Sequence, residues 1–172
     1  MAITIVVENG TGVADANSYV SVADARTYAS NRGIELPLDD DEVAAMLIRA
    51  TDYLEAQECR YQGKRTSPTQ ALAWPRTGVF LNCDEVPSNV IPKSLIAAQV
   101  QLAMAINAGF DLQPNVSPQD YVTREKVGPI ETEYADPLAV GIMPTFTAAN
   151  ALLAPLFGEC ATNKFALRTI RV

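Results

Sequence analysis

The chain has 172 residues, a formal charge of −7 and a pI near 4.5, with 48% apolar and 19% charged residues. That is the composition of one folded domain and excludes a disordered polar segment. No histidine is present, which removes the commonest general base and metal ligand, and the net acidity repels nucleic acid over most of the surface, so DNA binding would need a local basic patch.

Residues 3–7, "ITIVV", are β-branched and predict a short strand, ended by Gly10 and Gly12. Ser21 with Asp24 forms a capping pattern and Gly33 a stop, which predicts a helix over about 22–32 with Val22, Ala25, Tyr28 and Ala29 on one face. Asp39 with Glu42 repeats the pattern. Val43, Met46, Leu47, Ala50 and Leu54 then form one apolar stripe, so an amphipathic helix is expected over about 40–58, with Arg49, Asp52 and Glu55 mostly away from it. The acidic run Leu38–Glu42 lacks the alternating spacing of a calcium loop, and its position suits capping and dipole complementation instead of a metal.

Gly63 and Pro68 bound a loop whose Arg60, Lys64 and Arg65 are the densest basic cluster. In "QALAWPRTGV" a short helical turn is expected to end before Pro75. Trp74, the only tryptophan, has two readings. Beside Arg76 it is a base-stacking platform, completing a single-stranded DNA groove with Arg60, Lys64 and Arg65. Alternatively Trp74 and Arg76 are a packing anchor in the core or at a subunit interface. Pro92 opens a third helix, about 92–109. The uncharged run Ser94–Phe110 contains Gln99, Gln101 and Asn107, which argues for a buried helix and against a membrane span. This helix is apolar nearly all round, so it is central in a core or shared with a neighbouring chain.

"TREKVGPIETEY", Thr123 to Tyr134, sets basic and acidic residues on either side of Gly128-Pro129. A two-residue turn there opposes Val127 to Ile130, Lys126 to Glu131, Glu125 to Thr132 and Arg124 to Glu133. An isolated hairpin is marginal in water, so this one is expected to rest against a partner. Arg124, Lys126, Gly128, Pro129, Glu131, Glu133 and Tyr134 are its candidate interface. A short helix near 146–157 follows. The tail then carries Lys164, Arg168 and Arg171, three more candidate interface residues, and either lies on an acidic surface or is solvated.

Cys59, Cys83 and Cys160 contain no CxxC pair and read as reduced thiols, and no signal peptide is visible, so a soluble chain made in a cytoplasm is expected. There is no GxGxxG, Walker or GxSxG motif and no carboxylate pair that stands out, so neither an enzyme nor a cofactor nor a metal site is expected. The fold class is mainly α, a small helical bundle with a protruding β-hairpin or loop and a short N-terminal strand. Residues 1–172 form a single domain, with a helical core over about 20–110, the hairpin over about 121–134, and a C-terminal helix and basic tail over about 146–172.

Taken in order, "DANSYVSVADARTYASNRG", "LIRATDYLEA", "QALAWPRTGV", "IPKSLIAAQVQLAMAI" and "VTREKVGPIETEYAD" resemble the head–tail connector (head completion, or neck) proteins of tailed bacteriophages, among them proteins labelled DnaT-like single-stranded DNA-binding protein. The resemblance covers roughly residues 5–136. It implies a virion protein of about a dozen copies, closed into a homo-oligomeric ring between the portal protein and the next neck or tail protein. DNA would pass through the lumen without specific binding. The resemblance brings no catalytic residues, no cofactor and no membrane contact, and the label implies single-strand binding as the other reading.

Overall fold

The computed structural model describes residues 2–114 and 145–158, together with the backbone pairing of 124–127 and 130–133. Helix α1 (Val22–Ser30) starts where Ser21 accepts the Asp24 N–H, and it ends before Gly33, whose φ of +71° suits glycine. Helix α2 (Asp40–Glu55) is capped by Asp39, whose carboxylate accepts the Asp41 N–H at 3.0 Å. Asp40 pairs with Arg26 of α1, and Asp41 accepts the Ile3 N–H, so members of the acidic run cap and tie rather than cluster. Val43, Leu47, Ala50 and Leu54 are fully buried, as the stripe requires, and Met46 is half-buried.

Helix α3 (Lys93–Asn107) is the centre of the molecule, in contact with α1, α2 and the C-terminal helix α4 (Thr147–Leu153). Its nearly all-round apolar surface is therefore covered mostly by the chain's own helices. Gln99, also fully buried, is spent inside. Its amide nitrogen donates to Ser18 Oγ, Thr51 Oγ1 and the Leu47 carbonyl, and its oxygen accepts the Tyr19 N–H. A polar side chain in such a place is tolerated because each of its groups has a partner.

Three two-stranded antiparallel ladders complete the described fold. These are β1 (Lys64–Arg65) with β2 (Arg76–Thr77), β3 (Phe80–Leu81) with β4 (Asp84–Glu85), and β5 (Arg124–Val127) with β6 (Ile130–Glu133). The first two were not expected from sequence. The β3–β4 turn places Asn82 and Cys83 at positive φ, a hairpin turn usually written with glycine. Among the described residues the chain is mainly α with small β parts.

Four expectations need correction. Residues 3–7 make no strand: they touch β structure only through a Val7–Ser18 bridge, while Asn17 binds Val6 N and Thr4 O, so the β-branched run has no strand edge to extend. Helix α2 stops at Glu55, and a separate 3₁₀ turn, Glu58–Arg60, follows. No helical turn precedes Pro75, where the chain bends to place Trp74 inside. The expected helix 146–157 is broken into α4 and a 3₁₀ turn, Ala154–Leu156, because Pro155 cannot donate to a continuing α-helical ladder.

Candidate functional site

The basic segment Arg60–Arg76 is built around Glu58. The Arg65 guanidinium grips both carboxylate oxygens of Glu58, at 2.5 and 2.7 Å, and donates a further bond to the Gln70 carbonyl. Arg76 approaches Glu58 at 3.7 Å. It is only 5% exposed, because three backbone carbonyls, of Gln62, Gly63 and Ala73, take its N–H groups. The Arg65 hydrogen bonds, with help from both guanidinium charges, hold the Glu58 carboxyl below its usual range. Gly63 sits at φ +66° where any Cβ would strike the Thr77 carbonyl, so β1 and β2 meet only with glycine at this place.

Trp74 is fully buried and meets Tyr61 edge-on with ring centroids 5.7 Å apart. Its backbone is pinned from both sides. The Ala73 N–H donates to Glu55 at 2.6 Å, and the Trp74 N–H donates to the Tyr19 hydroxyl, which itself donates to Glu55 at 2.5 Å. Burial raises the Glu55 carboxyl above its usual value against the opposing pull of these hydrogen bonds. Burial, and then the neighbouring Glu55 charge, push the Tyr19 hydroxyl well up. Gln62 closes the other side, receiving the Phe80 N–H on its side-chain oxygen and donating to the Pro155 carbonyl.

This arrangement does not form the open groove drawn from sequence. A base cannot stack on a ring with no exposed face, and Arg76 has its donors spent on backbone. Of the five groove residues, Arg60 and Lys64 are exposed, Arg65 is half-buried in its ion pair, and Trp74 and Arg76 are interior. Arg60 lies over the Phe157 ring at 4.1 Å and donates to Gln57. Trp74 and Arg76 are thus packed within this chain's own core. Glu55, Glu58, Gln62 and Tyr19, which organise the site, were missed from sequence. Glu55 in particular was expected to face away from the core. Their partners lie 7 to 95 residues away, and no local spacing rule reaches that far.

The β5–β6 ladder has the register expected from its charges: Arg124 opposite Glu133, Glu125 opposite Thr132, Lys126 opposite Glu131 and Val127 opposite Ile130. Only the backbone of these eight residues is described. The ladder pairs with no other described strand, so both outer edges lack a β partner among the described residues. Gly128, Pro129, Tyr134, Lys164, Arg168 and Arg171 lie outside the described residues.

Comparison with known proteins adds one relation. No curated protein and no solved structure matches the chain. A family model matches residues 3–172, and by that match the chain belongs to the family described as "Putative DnaT-like ssDNA binding protein".

Proposed function

We propose that the chain is a structural subunit of a tailed-phage neck, a head–tail connector that assembles as a ring between portal and tail and takes part in no catalysis. One observation carries this reading: a charged, two-stranded ladder with both edges unpaired among the described residues, on a small helical domain. Open edges can add a strand from a neighbour, and opposed charges select the register of pairing. Two further features support it. The tryptophan and two of the four cations that would grip a single strand, Arg65 and Arg76, are buried or neutralised. The net charge of −7 suits a channel through which DNA must slide without sticking. Quantitative mass spectrometry of purified virions tests the reading. About a dozen copies per particle support it, and absence from particles that are otherwise complete overturns it.

Single-stranded DNA binding is the second reading, favoured by the family's description. Exposed Arg60 and Lys64 are the cations of the basic segment left for it. It requires oligonucleotide affinity that falls steeply with salt and weakens on Lys64→Ala. Flat fluorescence anisotropy at low salt ends it.

A further inference from the structure

Two concavities meet at Ile34, one between α3 and the start of α4, the other between α1, the segment 34–38 and the last residue of α3. One, of about 430 Å³, is walled by Met104, Ala105, Phe110 and Phe146. The other, of about 570 Å³, is walled by Leu36, Leu38 and Asn107, and Ile34 belongs to both. Large apolar side chains stand out at this seam: Leu38 is 97% exposed and Phe110 61%. An apolar strip this exposed costs free energy in water unless something covers it. Beyond Leu38 its border is acidic. Glu35, Asp39 and Glu42 are exposed, and Asp41 is half-buried. Arg26, the cation beside them, is consumed by Asp40 and by the carbonyls of Pro37 and Leu38. Arg32, further along, lies over the Tyr28 ring and donates to its carbonyl.

The strip therefore asks for a ligand that is apolar and cationic at once, and the chain owns such a segment. Lys164–Val172 reads KFALRTIRV, with Phe165, Leu167, Ile170 and Val172 interleaved with three cations and no acid. Its point of departure is on the page. The Gly158 N–H donates to the Arg60 carbonyl, just past the C-terminal end of α2, whereas the acidic border lies at the N-terminal end. A 16-residue helix separates the two by about 24 Å. Near this departure point Phe146, a wall of the first concavity, meets Tyr53 of α2 edge-on. Residues 159–163 reach about 17 Å when extended and the nine that follow about 30 Å, together more than the separation between the departure point and the acidic border.

We propose that the strip of Ile34, Leu38 and Phe110, with its acidic border, is the seat of the chain's own C-terminal segment Lys164–Val172. Its apolar residues cover the exposed side chains, and Arg168 and Arg171 face Glu35, Asp39 and Glu42. Docking within one chain needs no encounter between molecules, so it is independent of protein concentration.

Hydrogen–deuterium exchange on the full chain tests the proposal. The amides of 164–172 should exchange about tenfold or more slowly than in an unstructured peptide of the same sequence. That protection should stay constant across a roughly hundredfold range of protein concentration. It should vanish in Arg168→Glu/Arg171→Glu and, separately, in Leu38→Ser. Because Leu38 is almost wholly solvated, the latter change leaves the core intact, and an unchanged far-UV circular dichroism spectrum verifies this. Free-peptide exchange rates in the unmodified chain overturn the proposal. So does protection that grows with concentration, which means a second copy's segment fills the strip, and so does protection indifferent to both variants.

Discussion

The backbone N–H of Tyr19 donates to the side-chain oxygen of Gln99 at 3.0 Å, across 80 positions of sequence. This bond anchors the segment entering α1 to the middle of α3, and through Gln99 to α2. Replacing Gln99 by leucine keeps the volume but strands the buried Tyr19 donor. Ser18 and Thr51 retain other partners, in the carbonyls of Val20 and Leu47. The expected loss is about 1–3 kcal/mol, read from the midpoint of urea unfolding. An unchanged midpoint would show that the bond is dispensable.

Glu55 should be needed for its acceptor oxygens, not for its charge. Glu55→Ala leaves the Ala73 N–H unmet and is expected to cost about 1–3 kcal/mol at neutral pH. Glu55→Gln keeps one acceptor oxygen for the Ala73 N–H but turns a donor toward the Tyr19 hydroxyl, which loses its acceptor, so it should lose less than Glu55→Ala without matching the parent. The folded carboxyl is raised, so between the unfolded and folded values the native state binds more protons. The contribution of Glu55 therefore improves as pH falls through that window, and Glu55→Gln removes this slope.

Glu58 carries the opposite sign. Its folded carboxyl is depressed by Arg65, so its stabilisation is present above the unfolded value and is lost as pH falls through the lower, folded one. The pair is about one-third exposed on each side, so solvent screening keeps its worth to about 0.5–1 kcal/mol. Unfolding curves of Glu58→Gln and the parent should converge at the acid end and separate at neutral pH.

Trp74 reports directly on the site. Its emission should be shifted to the blue, resist iodide quenching and ignore added oligonucleotide, because no ring face is exposed. Trp74→Ala should cost about 3–5 kcal/mol, the loss typical of a large buried aromatic. Quenching on titration with single-stranded DNA would contradict the sealed arrangement.

Two glycines at similar φ should behave differently. At Gly33 a Cβ meets nothing within 4 Å, so Gly33→Ala carries only the left-handed penalty, about 1–2 kcal/mol. At Gly63 the same atom would lie 2.0 Å from the Thr77 carbonyl oxygen, and β1 must part from β2. Gly63→Ala should therefore exceed Gly33→Ala by at least about 2 kcal/mol in urea unfolding.

What could be read from sequence was whatever nearest neighbours decide. Ser21 and Asp39 are caps because a side-chain oxygen two or three residues away meets an open N–H. The Val43–Leu54 stripe is an α-helix face because 3.6 residues make a turn. The β5–β6 register follows from a short turn and opposed charges. Tertiary structure alone decided the rest. The run 3–7 has β propensity but no neighbouring edge to pair with, and Glu55, outside the apolar stripe, is drawn inward by the donors of Ala73 and Tyr19. Arg65 and Arg76 look in sequence like a basic surface, but Glu58 neutralises a half-buried Arg65 and three carbonyls hold Arg76 in the interior. Hydrogen bonds and ion pairs act at about 3 Å in space with no regard for separation along the chain, and that is why the site's chemistry emerged only once the fold was closed.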